Sequence, residues 1–331
     1  MSQARPTSVE FRGRREEVLE VFRVRGRNYF AVEKLSRRGT FRVFDPHAAP
    51  GGGFRILAQI PAEKFTRQKI ETLRRIAGPN SNPNFAAITD CARQGNDWFV
   101  VMTWIWGTDL RNYLAKVRRR EIPRPSVPEV CRLVRGLSHG LAHYHRKSKL
   151  VHGDISPANI ILTTPTTRLV LIDFGSAWPI EQSATKVTGD GITSPYAAPE
   201  RLAGHALEDF RADVFSLWTV FYEMLTLEIP FDAAGGRAGI PTNIEPFAGT
   251  FVPPSQLIAG RDRLPTSLLH QLDHLLRTGL ALHPDGRFST PKEWLNAVDG
   301  IGKWIAGDDG TSSILAWLDR LVAFRKRIGA R

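Results

Sequence analysis

Short alternating runs of hydrophobic and polar residues dominate the first third of the chain and predict strands. Residues 16–35 open with a short helical pattern and continue as strand, and residues 41–60 predict two strands around a glycine-rich turn. Residues 62–78 place their apolar positions at helical spacing and predict a helix that ends at a Gly-Pro pair. Residues 97–106 predict a buried strand.

The remainder of the chain follows the 3.6-residue period of amphipathic helices. Helices are predicted for residues 127–148, 213–226, 268–282 and 290–305. A strand-rich first third followed by a helix-rich remainder predicts an α+β chain with two lobes, the first small and β-rich and the second larger and helical.

This pattern suggests four regions along the chain. We predict a basic N-terminal extension at 1–27, a small lobe at 28–103, a large lobe at 104–300 and an amphipathic C-terminal helix at 301–331. We expect the last helix to dock on its own domain, although a basic amphipathic helix can also bind a membrane or a partner.

Length and composition exclude several protein classes. A chain of 331 residues can bury a sizeable core, and no apolar run approaches the ~18–20 residues that span a bilayer. The N-terminus has no continuous apolar segment of the signal-peptide kind. Cys91 and Cys131 are the only cysteines, too few for a disulfide framework, so we expect reduced thiols in a cytoplasmic protein.

The net charge of +12 is concentrated near the N-terminus. Residues 1–75 carry 17 Lys and Arg against 8 Asp and Glu. Such a field suits bound phosphates or an acidic protein partner, and a solvated basic face would look the same. Nucleic acid is the weaker alternative, because no zinc-finger spacing, RNA-binding aromatic run or helix-turn-helix is present.

The segment HGDISPANIILTTPTTRLVLIDFG, residues 152–175, holds the strongest chemical signal. Asp154 is followed five residues later by Asn159, and a predicted strand then carries Asp173 into an Asp-Phe-Gly sequence. Mg²⁺ prefers carboxylate and amide oxygens together with phosphates and water. The three side chains therefore suit phosphoryl transfer from ATP, which depends on metal ions and on orientation of the attacking hydroxyl.

Further motifs follow in the order found in eukaryotic-type (Hanks-type) Ser/Thr protein kinases, which the chain resembles over roughly residues 30–300. They are the Ala198-Pro199-Glu200 triplet, the helix that begins at Asp213, and Arg287 in LHPDGRFST. The resemblance implies that Asp213 braces the loop of Asp154 and that Arg287 pairs with Glu200.

The same resemblance implies roles for the site residues. Asp154 would orient the substrate hydroxyl, and Asn159 and Asp173 would hold Mg²⁺. Met102 stands at the gatekeeper position. Backbone groups of the hinge would meet the adenine of ATP, and the hinge residues are Thr103, Trp104 and Ile105. The two hinge tryptophans, Trp104 and Trp106, are otherwise expected to pack in the core.

The first lobe departs from the family pattern. In the stretch LSRRGTFRVF, Ser36, Arg38 and Phe41 stand where the family has three glycines, and only Gly39 is a glycine. Bulky side chains would crowd a phosphate cradle built from backbone amides. Arg38 or Arg42 could instead bind phosphate through a guanidinium.

Other cationic groups of the family are absent. We align Gln59 with the strand lysine that pairs the α- and β-phosphates, and the following helix offers Lys69 in place of the partner glutamate. Gly153 replaces the arginine before the catalytic aspartate, and Ser156 replaces the lysine that touches the γ-phosphate. Each such charge contact can be worth ~10²–10³ in rate, so turnover should be slow.

Three functional hypotheses remain from the sequence. The first is a pseudokinase or very weak Ser/Thr kinase that binds ATP and Mg²⁺ and has a regulatory or scaffolding role. The second is an active atypical kinase that uses an arginine of the first lobe in place of the lysine. The third is a small-molecule phosphotransferase, since choline and aminoglycoside kinases share the His-Gly-Asp loop, although they generally lack the Ala-Pro-Glu segment.

Overall fold

The computed structural model describes residues 7–37, 39–48, 51–64, 82–179, 195–203, 209–240, 243, 247 and 249–307. The chain divides into two compact units. Unit 1 is Met1–Gly107 with Ile172–Phe174, and unit 2 is Thr108–Leu171 with Gly175–Arg331.

The strands, in chain order, are β1 Ser8–Phe11, β2 Arg14–Glu17, β3 Glu20–Val24, β4 Arg27–Ser36, β5 Thr40–Asp45, β6 Gly53–Pro61, β7 Ile88–Gln94, β8 Asp97–Thr103, β9 Gly107–Asp109, β10 Leu150–Val151, β11 Ile160–Thr163, β12 Leu169–Leu171 and β13 Trp178–Pro179. The α-helices are α1 Leu110–Arg118, α2 Val127–Ser148, α3 Pro199–Leu202, α4 Phe210–Thr226, α5 Pro254–Leu257, α6 Thr266–Gly279 and α7 Pro291–Gly307. Short 3₁₀ turns cover Ala62–Lys64, Pro157–Asn159, Gly235–Gly239, Arg261–Arg263 and Pro284–Gly286.

Unit 1 is built on a six-stranded antiparallel sheet in the order β3-β4-β5-β6-β8-β7. The edge strands β3 and β7 also contact each other, so the sheet curls around one apolar face. Side chains alternate between the two faces of a strand, which explains the alternating pattern in the sequence. The interior of the curl, called the barrel core below, contains Phe22, Val24, Tyr29, Ala31, Phe41, Val43, Leu57, Phe99 and Val101.

The segment predicted as a basic N-terminal extension contains regular strands. β1 and β2 form a separate two-stranded hairpin, and β3 pairs with β4 as an edge of the large sheet. The helical pattern predicted at the start of residues 16–35 is therefore wrong. Strand pairing prevails there because Phe22 and Val24 alternate with exposed residues and fill the barrel core.

Unit 2 is helical, as the periodicity predicted. α2 spans the predicted range and is capped by Ser126, whose hydroxyl accepts the backbone N–H of Glu129 at 3.4 Å. Nearly all of α4 is buried, which explains why its sequence lacks a clear polar stripe. The predicted helices near residues 268 and 290 correspond to α6 and α7.

Several predictions concern residues outside the described ranges. They include most of the predicted helix 62–78, Arg38 and Lys69, and the predicted C-terminal helix beyond residue 307. Within the described residues, no helix has both the length and the apolar content that a membrane crossing requires.

Candidate functional site

The loop that carries Asp154 is held in place by one buried carboxylate, which bonds two of its backbone amides. Asp213, in the first turn of α4, is completely buried. Its two oxygens accept the backbone N–H of His152 at 2.7 Å and of Gly153 at 2.9 Å. The His145 side chain lies 2.7 Å away through Nε2. This geometry confirms the predicted bracing role of Asp213.

These contacts determine the charge of the buried group. Burial by itself raises the pKa of Asp213, because a charged carboxylate loses its hydration. The hydrogen bond and charge of His145, together with His152 and the Gly153 amide, outweigh that cost and hold the pKa of Asp213 below its ordinary value. The brace is therefore an ionised acceptor at neutral pH.

Local backbone geometry accounts for the glycine that precedes Asp154. Gly153 has φ +77°, in the left-handed region that a side chain occupies only with strain. In that conformation its N–H is directed at Asp213. The arginine of the family is thus replaced by the residue that adopts this turn at the lowest cost.

Asp154 and Asn159 are brought together by the 3₁₀ turn Pro157–Asn159. The amide nitrogen of Asn159 donates to the Asp154 carbonyl at 2.9 Å and to its Oδ2 at 2.7 Å. These bonds use the nitrogen end of the amide and leave its oxygen as the ligand atom. A carboxylate beside an amide oxygen is a donor set that fits Mg²⁺.

Asp173 follows β12 and belongs to unit 1. Its φ of +62° is unusual for a residue other than glycine. Its neighbour Phe174 is buried, and its ring centroid lies 6.1 Å from that of Phe85. Packing of Phe174 therefore fixes the backbone beside an exposed carboxylate that the sequence assigned to metal binding.

Ser156 does not resemble a phosphate contact. Its side chain is completely buried, and its hydroxyl has no hydrogen-bond partner among the described residues. The backbone carbonyl of Ser156 accepts the N–H of Asn159 at 2.9 Å. Ser156 thus contributes to the turn, in place of the lysine that the family has there.

The glycine of the predicted phosphate loop has a structural task. Gly39 has φ +88°, and a Cβ added there would lie 3.0 Å from the Gln59 carbonyl oxygen. The Gly39 carbonyl also accepts the Gln59 N–H at 2.8 Å. Gly39 therefore allows β5 and β6 to approach closely, which is sufficient reason for a glycine.

Gln59 and Met102, both predicted to contact nucleotide, lie on opposite faces of the sheet. Ile56 is opposite Met102 in the β6–β8 ladder, and Gln59 is opposite Phe99 on the side of the barrel core. The Gln59 amide donates to Asp97 at 2.7 Å. The β6 residues that share the face of Met102 are Phe54, Ile56, Ala58 and Ile60. All four are apolar, so this face of β6 carries no cation, whichever of them matches the family lysine.

Arg42, the predicted substitute cation, is already engaged. Two of its nitrogens bond both carboxylate oxygens of Glu16, at 2.7 and 3.2 Å. Its Nε lies 2.9 Å from Glu33 Oε2. The guanidinium carbon lies 4.7 Å from the ring centroid of Phe54 and 5.6 Å from that of Trp104. A phosphate would have to displace two carboxylates to bind this group.

The predicted hinge continues from β8. Thr103 is tied to the sheet by its N–H, which donates to the Ala87 carbonyl at 2.8 Å. Trp104 and Trp106 pack edge to face with ring centroids 5.9 Å apart. Trp104 and Ile105 are half-buried, and the Trp104 indole N–H has no hydrogen-bond partner among the described residues. The hinge thus contains one buried indole donor beside an aromatic cluster.

The predicted pair of Arg287 and Glu200 is confirmed in unit 2. The guanidinium bonds both carboxylate oxygens at 2.7 and 2.9 Å, and both residues are buried. Among the described residues, no group of three or more His, Cys, Asp and Glu forms a metal site.

Sequence reasoning missed the partners of the first-unit residues. Glu16, Glu33 and Asp97 engage Arg42 and Gln59, and none was singled out. One signal was present for Glu16, since the Arg12-Gly13 dipeptide between two alternating runs is typical of a hairpin turn. No pattern in the sequence identifies which cation lies opposite this glutamate.

Comparisons of the sequence with family models and with known proteins point to the same family. The family model described as the protein kinase domain matches residues 59–297. The chain is 28% identical over 234 residues to the probable serine/threonine-protein kinase CE0033 of Corynebacterium efficiens, which covers 69% of this chain and 33% of that protein. It is 29% identical over 246 residues to the serine/threonine-protein kinase PknF of Mycobacterium tuberculosis, covering 73% and 48%.

Another relative and a solved structure extend this result. The tyrosine-protein kinase MasK of Myxococcus xanthus is 27% identical over 288 residues, covering 82% of this chain and 42% of that protein. The chain thus spans a third to a half of the length of these three relatives. The crystal structure of the Mycobacterium tuberculosis PknI kinase domain matches with a TM-score of 0.57 and 22% identity, covering 91% of this chain and all of that one. This last likeness shows the fold.

Proposed function

The chain belongs to the protein kinase family, of the Hanks Ser/Thr type, and on that premise we propose that it binds ATP with Mg²⁺ and transfers phosphate slowly or not at all. In this proposal it is a pseudokinase or very weak Ser/Thr kinase with a regulatory or scaffolding role. A protein is its partner or substrate, and the basic charge of residues 1–75 favours an acidic one.

One observation supports the proposal that the chain binds ATP with Mg²⁺. The loop from His152 to Asn159 keeps a series of hydrogen bonds, from the buried Asp213 carboxylate to the Asn159–Asp154 pair. A network in which each member supports the next specifies one geometry. Asp154 would orient a hydroxyl and accept its proton, and Asn159 and Asp173 would hold the ion, whose charge would offset that of the phosphates.

The proposal that phosphate transfer is slow or absent rests on the lack of cationic groups at the positions that contact the phosphates in the family. The face of β6 that carries the nucleotide-side residues is apolar, Ser156 is buried, and Arg42 is paired with two glutamates. Two cationic contacts are therefore absent, and loss of each such contact can cost ~10²–10³ in rate. Binding through metal and hinge can survive these losses, whereas stabilisation of the transferring phosphoryl group cannot.

A competent Ser/Thr kinase is the second candidate. The intact Asp154–Asn159 pair and the buried Arg287–Glu200 pair favour it, because a purely scaffolding chain has no need for a catalytic geometry. This candidate requires another cation to replace the lysine. Arg38, which lies outside the described residues, is one that the sequence offers.

Thermal unfolding with ATP, with and without Mg²⁺, tests binding first. Saturation at about a hundred times Kd should stabilise the folded chain by ~2.7 kcal/mol. We expect a rise in Tm that requires the metal and disappears in Asn159→Ala. No shift with either nucleotide or metal would contradict the proposal.

Transfer of labelled γ-phosphate then separates the two candidates. We expect little or no label on the chain itself or on generic protein substrates. Label that disappears in Asp154→Ala would establish the competent kinase. Asp285→Ala is the matched control, since it removes an exposed carboxylate of unit 2 that bonds only Arg211 and His283 in the described structure.

A further inference from the structure

The β1–β2 hairpin lies on the sheet face that carries the predicted nucleotide contacts. Phe54 alternates with the residues of the barrel core and shares a face with Ile56, which is opposite Met102. The ring of Phe11, at the end of β1, lies 5.0 Å from that of Phe54 and 6.0 Å from that of Phe44. Val9, Phe11 and Val18 thus join one cluster with Trp104 of the hinge.

An ion pair also attaches the hairpin to this face of the sheet. Glu16, on β2, presents both carboxylate oxygens to the Arg42 guanidinium. A guanidinium binds a carboxylate and a phosphate with the same two-pronged geometry, so Glu16 occupies the donors that an anionic ligand would need. Arg42 in turn lies over Phe54 and Trp104. Two of the sequence-predicted nucleotide contacts, Arg42 and Trp104, are therefore engaged in contacts shared with the hairpin.

The hairpin is attached in a way that permits its displacement. β1 and β2 pair only with each other, and neither is a strand of the six-stranded sheet. The chain rejoins the sheet at Leu19, whose N–H donates to the Ala31 carbonyl at 2.8 Å. Among the described residues, lifting residues 8–17 would break side-chain packing and the Arg42–Glu16 ion pair, and no ladder hydrogen bond of the large sheet.

We propose that the β1–β2 hairpin is an autoinhibitory cover that competes with nucleotide for this face of unit 1. The inference rests on the proposed nucleotide binding and deepens it. With the hairpin seated, Arg42 is neutralised and the aromatic face beside the hinge is shielded. With the hairpin displaced, the two terminal nitrogens of Arg42 that bond Glu16 and the face of Trp104 become available to ATP, while Glu33 of β4 stays beside the Arg42 Nε.

Nucleotide affinity of the full chain tests the cover. A non-hydrolysable ATP analogue with Mg²⁺ is titrated by calorimetry into wild type, Phe11→Ser and Glu16→Gln. If the seated form holds about nine-tenths of the molecules, release should lower Kd about tenfold in Phe11→Ser. Glu16→Gln keeps the size of the side chain and loses its charge, so its affinity should also rise, by a smaller factor.

Val43→Ala is the matched control, because it destabilises unit 1 without removing a contact of the hairpin. Val43 is fully buried in the barrel core and lies on β5 between Arg42 and Phe44, on the opposite face. It should lower Tm and leave Kd at the wild-type value. A gain in affinity in Val43→Ala equal to that in Phe11→Ser would overturn the cover.

The remaining outcomes separate the cover from the proposed function. Equal Kd in wild type, Phe11→Ser and Glu16→Gln would overturn the cover and leave nucleotide binding in place. Binding that is seen only in the hairpin variants would support both. Absence of binding in every variant would overturn both.

Discussion

The loop that carries Asp154 and the sheet face that carries Met102 make opposite use of their polar groups. In the loop, the buried Asp213 and the Asn159 amide hold Asp154 in place through bonds of 2.7–2.9 Å. On the sheet, Gln59 is bonded to Asp97, and Arg42 is bonded to Glu16 and lies beside Glu33. The comparison teaches that a residue type indicates possible chemistry, whereas its partners decide whether the group is available.

The two regions also differ in what a loss would cost. The bonds of Asp213 to the loop are buried, so removal of this carboxylate leaves other polar groups without partners. The ion pair of Arg42 is partly exposed, with a fifth of each side chain accessible, and is worth less.

Removal of the buried brace should cost most. Asp213→Ala leaves the His152 and Gly153 amides and His145 without their acceptor, and we expect a loss of about 3–5 kcal/mol in the free energy of unfolding. Urea unfolding at neutral pH measures it.

Asp299 provides the control for Asp213. It also bonds a histidine, His139, at 2.8 Å, and Arg135 at 2.7 Å, but it lies at the surface. Asp299→Ala should cost less than about 1 kcal/mol. Equal losses in the two variants would show that the loop brace is no stronger than a surface pair.

Restoration of a lysine to the sheet should depend on the face. Ala58→Lys and Ile60→Lys place an ammonium on the side of Met102, and the better of the two should raise phosphoryl transfer at least about tenfold. Gln59→Lys is the matched control, because it adds the same charge one position away on the opposite face. Labelled-phosphate transfer in Asp154-intact chains measures the rates. A gain confined to Gln59→Lys would contradict the face assignment and restore the alignment made from the sequence.

The glycine of the predicted phosphate loop offers a third test. Gly39→Ala would strain the backbone and press a Cβ against the Gln59 carbonyl oxygen, so we expect a loss of about 2 kcal/mol. Gly13→Ala has a similar φ of +75° and open space around the added Cβ, so it should lose about half as much. Thermal unfolding compares the two. If Gly39→Ala is as stable as Gly13→Ala, the close approach of β5 and β6 does not explain this glycine.

Sequence reasoning was most successful where the information is local. The helix α2 follows from periodicity because it buries one stripe of its surface, and α4, which was also predicted as a helix, is buried over nearly its whole surface. Asp154, Asn159 and Asp173 lie within twenty residues, so their spacing was visible without a fold. The brace by Asp213 and the pairing of Arg287 with Glu200 needed the family resemblance, since 60 and 87 residues separate those partners.

The same reasoning was weakest in the first unit, for a physical reason. A shift of one residue in register moves a side chain to the other face of a sheet, and no spacing rule fixed the position of Gln59. The engagement of Arg42 depends on a glutamate 26 residues away, in a segment assigned to an extension. Availability of a charged group is a tertiary property, and a single sequence does not contain it.

The smallest expected effect is on how the free energy of unfolding changes with pH in the acid range. The pKa of Asp213 lies below its ordinary value of 3.8 in the folded chain, where burial that raises it is outweighed by His145, His152 and the Gly153 amide. The unfolded chain therefore takes up this proton first as pH falls. The stabilisation is fully present above the ordinary pKa and is lost as pH falls through the lower, folded value.

Wild type should consequently lose stability more steeply than Asp213→Asn between about pH 5 and pH 3. The pKa of Asp299 is also lowered, by His139 and Arg135 against the opposing effect of burial. Because that group is more exposed, Asp299→Asn should change the slope less, and its effect should shrink in 1 M salt while that of Asp213 persists. Urea unfolding across this range measures both slopes. Parallel curves for wild type and Asp213→Asn would mean that the buried brace is not an ionised carboxylate, and the contrast between the loop and the sheet would lose its electrostatic basis.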